Sequence, residues 1–202
     1  YKRQCPKCGF ADARGDQCDK CDALLTPLEL ITPRSAISGA TPVLRKTKHL
    51  YIDLAALQSA LTEWLAGKRF SENTMRTTQA WLDRGLEPRA ITRDLKWGVP
   101  VPREGYEHKV FYVWFDAPIG YISMTGQSAA RVSTHALDSH SQRSQSAQSQ
   151  IDYWWRDERT ELYQFIGKDN IPFHSVIFPS MLIGSGENLV TVTHINTTEF
   201  LN

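Results

Sequence analysis

The sequence has no apolar run approaching the eighteen or so residues of a membrane span, which excludes a spanning helix. It has no surplus of either charge. Its 23 basic and 22 acidic side chains leave a net +1, so a strongly basic nucleic-acid binder is not indicated, although a local patch stays open. There is no Gly-x-Ser-x-Gly elbow, no His-Glu-x-x-His and no Walker phosphate loop. There is no secretory signal and no initiator methionine; the chain opens Tyr1-Lys2-Arg3. That start, with an end at Phe200-Leu201-Asn202 inside a promising run, is what a piece of something longer looks like. What is present is an ordinary globular composition, 202 residues with 41% hydrophobic and 22% charged, enough for one or two domains and a sizeable core.

Cysteine is scarce and confined. Cys5, Cys8, Cys18 and Cys21 are the four cysteines of the chain, spaced as two C-x2-C pairs. Two tight turns offering four thiolates match a four-cysteine zinc knuckle. Two disulfides are the alternative, disfavoured by the spacing and by the lack of secretory context. Four sulfurs close a tetrahedral shell, so such a zinc is structural and staples a subdomain too small to fold on its own core. Lys2, Arg3, Lys7, Arg14 and Lys20 surround the cysteines and offset the charge of four thiolates. Gly9 follows the second cysteine, where the turn needs positive φ.

Beyond the knuckle, Leu24–Gly39 reads as short extended pieces and turns. Lys48–Leu54 reads as a strand that runs into a helix over Ala55–Ala66, stopped by Gly67. A second helix is expected from an N-cap at Ser71 to Gly85, with Met75, Trp81 and Leu82 on its buried side. Pro88 to Pro102 is irregular. Gln127–Gln150 is rich in Ser and Gln with little to bury, and reads as a disordered, mobile insertion in which His135 and His140 are solvated. Glu161–Gly167 is expected as a strand, Phe173–Ile183 as a helix begun near Pro172 and kinked or shortened by Pro179, and Leu189–Ile195 as a further strand. Strand, helix, strand at these lengths is a βαβ unit of an α/β fold with a parallel sheet.

The chemistry concentrates around Lys109–Tyr121, KVFYVWFDAPIGY. Its unalternating run Val110–Phe115 reads as a strand buried on both faces. Trp114, Pro118 and Tyr121 would sit at its end; Asp169, Asn170 and His174 would sit at the end of the next strand. Aromatic walls with a few polar groups, gathered at strand ends, suit a small and partly apolar ligand, and a carboxylate such as Asp169 suits a ribose hydroxyl. Taken singly, Trp114 also reads as a core aromatic, His174 as a satisfied structural histidine and Asp169 as a turn residue. His174 and Ser175 are helical neighbours pointing apart, so they are not a nucleophile and its base.

The segments CPKC…CDKC, ELITPRSAISGATPVLR, HLYIDL, ITRDLKWGVPVP, KVFYVWFDAPIGYIS and LYQFIGKDNIPFHSVIFP, in this order, resemble the methionyl-tRNA synthetases. The likeness spans nearly the whole chain, and DLKWGVPVP and GKDNIPFH point to the eukaryotic cytosolic or archaeal branch. The resemblance implies a connective domain over residues 1–108, with its zinc knuckle over about 1–26. It implies the second half of a class I synthetase Rossmann-like parallel sheet over residues 109–202. By position, Trp114, Ala117, Pro118, Tyr121 and His174 match residues around the methionine side chain. Asn170 stands where bacterial forms carry an aliphatic wall residue, and Gly167 and Asp169 match residues near the adenosine ribose. The implied enzyme is a cytoplasmic ligase that uses methionine, ATP with Mg2+ and the initiator and elongator methionine tRNAs, with no membrane partner.

The chain also departs from that family. Neither class I signature, His-Ile-Gly-His-like or Lys-Met-Ser-Lys-Ser-like, is present. Those groups stabilise charge on the transferring phosphate, so this chain alone is expected to be inactive and to hold no catalytic residue of its own. Gln127–Gln150 is longer than the family link. The rival reading is a non-catalytic, zinc-containing tRNA-binding or regulatory protein derived from the synthetase.

Overall fold

The structure, a computed structural model, describes residues 2–15, 18–21, 23, 25–26, 28–135 and 147–198, with backbone alone at 2, 128–135 and 147. The chain divides into two compact units, Tyr1–Lys48 and His49–Asn202.

In the first unit, β1 (Lys2–Gln4) lies between β2 (Ala13–Arg14) and β3 (Ile31–Arg34), both antiparallel to it. Among the described residues the core is small: Cys5, Ala13, Cys18, Leu25 and Leu30, with Phe10 and Ala23 against it. A core of this size leaves little stability of its own.

The second unit is built on helices. In α1 (Leu54–Ala66), Asp53 caps the N-terminus by accepting from the Ala56 N–H. Leu54, Leu61 and Leu65 recur on its buried face, and Gly67 ends it. In α2 (Glu72–Asp83), Ser71 stands at the cap and Thr74, Thr78 and Leu82 are buried. Two short antiparallel pairs follow: β4 (Tyr51–Ile52) with β5 (Arg89–Ala90), and β6 (Thr92–Arg93) with β7 (Val110–Phe111). Then come α3 (Val113–Asp116), α4 (Ile119–His135) and α5 (Ala147–Trp155). The unit ends with β8 (Tyr163–Gly167), a 3-10 turn at Lys168–Asn170, a π turn at Phe173–Ile177, α6 (Phe178–Ser185) and β9 (His194–Thr198). β8 and β9 pair in parallel from Tyr163 opposite His194 to Gly167 opposite Thr198. The main core joins Leu54, Leu61, Leu65 and Leu82 to Val176, Ile177, Val192 and Ile195.

Three expectations are revised. The buried strand over Val110–Phe115 is only two residues of β7; the chain turns helical at Val113, with the Ala117 N–H donating to the Val113 carbonyl. Val113 and Trp114 are exposed there, not buried on two faces. A short apolar run fits a helical turn as well as a strand, and nothing in its periodicity separates them. The insertion expected from Gln127 is helical to His135 in α4 and again from Ala147 in α5. Its Gln, Ala and Arg residues are good helix formers, which outweighed the polar composition. Residues 136–146, including His140, lie outside the described residues. The last strand begins at His194 instead of Leu189. Val192 is fully buried in the core, and the Thr193 and His194 N–H groups both donate to the Leu162 carbonyl, which starts the ladder there. Within the second unit, α1 and α2 bury their leucines against Val176, Ile177 and Ile195.

Candidate functional site

Two clusters of side chains stand out, one in each unit. In the first unit the chain reverses at Cys5–Phe10, where the Cys5 N–H donates to the Phe10 carbonyl and Gly9 supplies φ +74. It reverses again at Cys18–Ala23. The two turns face their sulfurs inward. The Sγ atoms of Cys5, Cys8, Cys18 and Cys21 all lie within 4.8 Å of one another, and this set could hold a metal ion. The Cys5 and Cys21 sulfurs are 3.9 Å apart, those of Cys8 and Cys18 3.7 Å. These separations are far beyond a disulfide bond of about 2.05 Å, and all four cysteines are free. Burial pushes the Cys5 thiol up, but the N–H groups of Cys8 and Lys7 and the neighbouring sulfurs outweigh it and bring Cys5 down to about 7. At Cys21 the Ala23 N–H favours the thiolate, yet burial and the three other sulfurs push it up to about 12. Without a cation, four thiolates in this space repel one another, so metal binding displaces protons. Of the surrounding cations, Arg14 is paired with Asp19 at 3.5 Å.

In the second unit the site forms where α3 and the start of α4 meet the π turn. The Trp114 ring stacks on Phe173, with centroids 4.3 Å apart and planes 19° from parallel. The Tyr121 hydroxyl lies 2.9 Å from His174 Nε2, and His174 Nδ1 lies 3.0 Å from the Asn170 carbonyl. A carbonyl can only accept, so Nδ1 carries the proton and Nε2 accepts from the tyrosine. Burial pushes the His174 pKa below its ordinary 6.5, against the Asn170 carbonyl, which favours the charged form. The neutral imidazole is thereby fixed in one tautomer. Tyr121 also tilts against Phe178, whose ring meets Trp155 edge-on.

The residues singled out in the sequence thus separate into groups. Trp114, Tyr121, Asn170 and His174 are brought together, but by helices and a π turn instead of the tips of two adjacent parallel strands, since β7 pairs with β6 and not with β8. Pro118 is buried and Ala117 exposed in the turn between Trp114 and Tyr121. Gly167 ends β8 and Asp169 follows in the 3-10 turn, exposed, with its carboxylate against the Gly167 α-carbon. A Cβ at Gly167 would lie 2.8 Å from Asp169 Oδ1.

Sequence reasoning did not single out several side chains of the second unit. Phe173, the partner of Trp114, was read only as the start of a helix; its place beside His174 was the available signal. Arg93 lies over the Tyr112 ring at 3.7 Å and donates from one nitrogen to the carbonyls of Ala90 and Thr92. Asp116 Oδ1, in α3, is buried without a hydrogen-bond partner among the described residues. Tyr121 also forms one wall of a cleft of about 480 Å³ lined by Met124, Trp154, Trp155, Leu162 and Val190.

The family model described as tRNA synthetases class I (M) matches residues 1–202. The chain is 50% identical to a probable cytoplasmic methionine–tRNA ligase of Schizosaccharomyces pombe, over 98% of this chain and 24% of that protein. It is 48% identical to the methionine–tRNA ligase of the bacterium Treponema denticola over 98% and 24%. It is 44% identical to the human cytoplasmic methionine–tRNA ligase over 98% and 20%. The chain therefore spans about a quarter or less of the length of these relatives. Among solved structures, the apo Mycobacterium tuberculosis methionyl-tRNA synthetase is similar in fold with a TM-score of 0.59 at 21% identity, over 89% of this chain and 33% of that one. The same enzyme bound by methionyl-adenylate gives a TM-score of 0.56 at 20% identity, over 84% and 30%. The match along all 202 residues and the identities to relatives from fungi, bacteria and humans place the chain in the methionine-type class I tRNA synthetase family.

Proposed function

We propose that this chain is the central part of a cytoplasmic methionine–tRNA ligase, supplying its methionine side-chain pocket, part of its nucleotide site and a structural zinc site. The single observation that carries the reading is the aromatic and imidazole cluster in a chain of this family: Trp114 on Phe173, and Tyr121 on a neutral His174. A thioether is soft and polarisable and packs well against ring faces and edges. Trp114, Ala117, Pro118 and Tyr121 form one wall in this reading, with Asn170 and His174 opposite. An imidazole kept neutral avoids burying a charge beside an apolar side chain. Gly167 and Asp169 contribute to the nucleotide side, where a carboxylate accepts from ribose hydroxyls and glycine leaves room for close approach.

In the complete enzyme the bound methionine carboxylate attacks the α-phosphate of ATP, pyrophosphate leaves, and the aminoacyl group passes to the 3′ end of tRNA. Mg2+ on the ATP supplies charge neutralisation in that step. Residues 1–108 act as the connective part and 109–202 as the catalytic half. The cysteine cluster suits zinc because Zn–S bonds of about 2.3 Å in a tetrahedron put the sulfurs ~3.8 Å apart, and two of the separations here are 3.9 Å and 3.7 Å. Cys5, Cys8, Cys18 and Cys21 would hold the ion and leave no open position, so it would brace the first unit without touching substrate. Cytoplasmic location follows the relatives from fission yeast and humans, which are described as cytoplasmic. The test is ATP–pyrophosphate exchange by the complete protein with each amino acid in turn. Exchange driven by methionine supports the reading; exchange driven by another amino acid, or none, overturns it.

A further inference from the structure

The π turn that presents Phe173 and His174 has a support that none of its own ring contacts supply. A π turn carries one residue more than the α-helical register, so it rotates the residues before it relative to those after it. Here the Phe178 N–H donates five residues back to the Phe173 carbonyl. Phe173 and His174 thereby face Trp114 and Tyr121, while Val176 and Ile177 stay in the main core. Pro179 lies just beyond and has no N–H to offer the Ser175 carbonyl, which weakens the α-helical alternative.

Ser175, in the middle of this turn, is fully buried, as is Thr78 of α2. Their hydroxyl oxygens are 2.6 Å apart. Thr78 Oγ1 also lies 2.7 Å from the Thr74 carbonyl, and Ser175 Oγ lies 2.8 Å from the Ile171 carbonyl. Two hydroxyl protons serve three short contacts, and an oxygen–oxygen approach of 2.6 Å needs a proton between the two hydroxyls, so the chain runs one way at a time: Thr78 to Ser175 to Ile171, or Ser175 to Thr78 to Thr74. In either direction the link between α2 and the π turn is a hydrogen bond between fully buried groups, where such bonds are strong and directional.

We propose that Thr78 is a positioning residue for methionine recognition: its bond to Ser175 holds the π turn in the register that sets Phe173 under Trp114 and His174 on Tyr121. This rests on the reading of that cluster as the methionine pocket. Thr78 touches no substrate; it acts through Ser175 on the two rings. The consequence is selective, because the nucleotide-side residues Gly167 and Asp169 precede the π turn.

The experiment measures kcat and the KM for methionine and for ATP in pyrophosphate exchange by the complete protein. Thr78→Val, Thr78→Ser and Ser175→Ala are compared with His174→Ala as the reference for the pocket, and thermal melts follow folding. Thr78→Val and Ser175→Ala are expected to raise the methionine KM by about three- to tenfold, the scale of one lost hydrogen bond, and to leave kcat and the ATP KM within about twofold of the parent. Thr78→Ser, which keeps the hydroxyl, restores the parent value. An unchanged methionine KM in folded Thr78→Val and Ser175→Ala, while His174→Ala raises it, overturns the positioning role and leaves the pocket standing. If His174→Ala also leaves the methionine KM unchanged, the pocket reading itself fails and the proposal falls with it.

Discussion

His174 shows what burial does to a single side chain. Its Nδ1 proton is held by the Asn170 carbonyl and its Nε2 lone pair by the Tyr121 hydroxyl. Protonation of Nε2 forces that hydroxyl to turn away and places a charge in a buried site. The folded pKa is therefore depressed, so the stability this histidine contributes is complete above its ordinary 6.5 and is lost as pH falls from there through the depressed value. An NMR titration of the His174 ring should give an apparent pKa below 6.5; a value above it would contradict the assigned tautomer and burial. At this scale the sequence was informative about types and poor about partners. Trp114, Tyr121 and His174 were visible as unusual residues near turns. That Trp114 stacks on Phe173 was not, because the contact spans 59 positions (173 minus 114) and depends on a π register that no local pattern announces.

Elements with their own punctuation were legible. Gly67 ends α1 and Ser71 stands at the N-cap of α2, as their residue types led one to expect, whereas Asp53, read as the end of a strand, caps α1. Elements defined by long-range pairing were legible in part: β8 falls inside the strand expected over Glu161–Gly167 and pairs in parallel with β9, as a βαβ unit requires, but β7 is shorter than its apolar run. The run at Val110 is a strand only as far as β6 pairs with it, through Thr92 opposite Phe111 and Arg93 opposite Val110. That pairing is tight on its other side as well. Gly98 adopts φ +147, and a Cβ there would lie 2.9 Å from the Val110 Cβ and Cγ2. Val110 is buried and β-branched, so it cannot swing aside. Gly98→Ala is expected to destabilise the second unit by about 1–3 kcal/mol, combining the strained backbone and the clash. A melting temperature equal to that of the parent protein would show that the segment can move. The same dependence on pairing explains β9, whose start is fixed by the Leu162 carbonyl and not by the β propensity of Leu189–Val192.

At the scale of the whole molecule, the convergence of the four cysteines was the most legible feature, since two C-x2-C pairs need no long-range information to suggest it. The division at Lys48/His49 was hidden, because the leucines of α1 and α2 do not declare which partner they bury against. With Cys5, Ala13, Cys18, Leu25 and Leu30 as its core among the described residues, the first unit is expected to depend on the proposed zinc for its fold. Chelation, or Cys5→Ser or Cys18→Ser, should release one zinc per chain and abolish protection of the first unit's amides from exchange. A first unit that stays ordered without metal would show its apolar core to be sufficient. The second unit carries the proposed substrate site, and the sharpest test lies there. His174→Ala in the complete protein removes the imidazole that Tyr121 and Asn170 hold, so it should raise the methionine KM on the order of tenfold or more, as expected for a buried polar contact and its ring, and leave the ATP KM near its parent value. Equal effects on methionine and ATP, or none on methionine, would contradict the central claim that this cluster of rings is the methionine pocket.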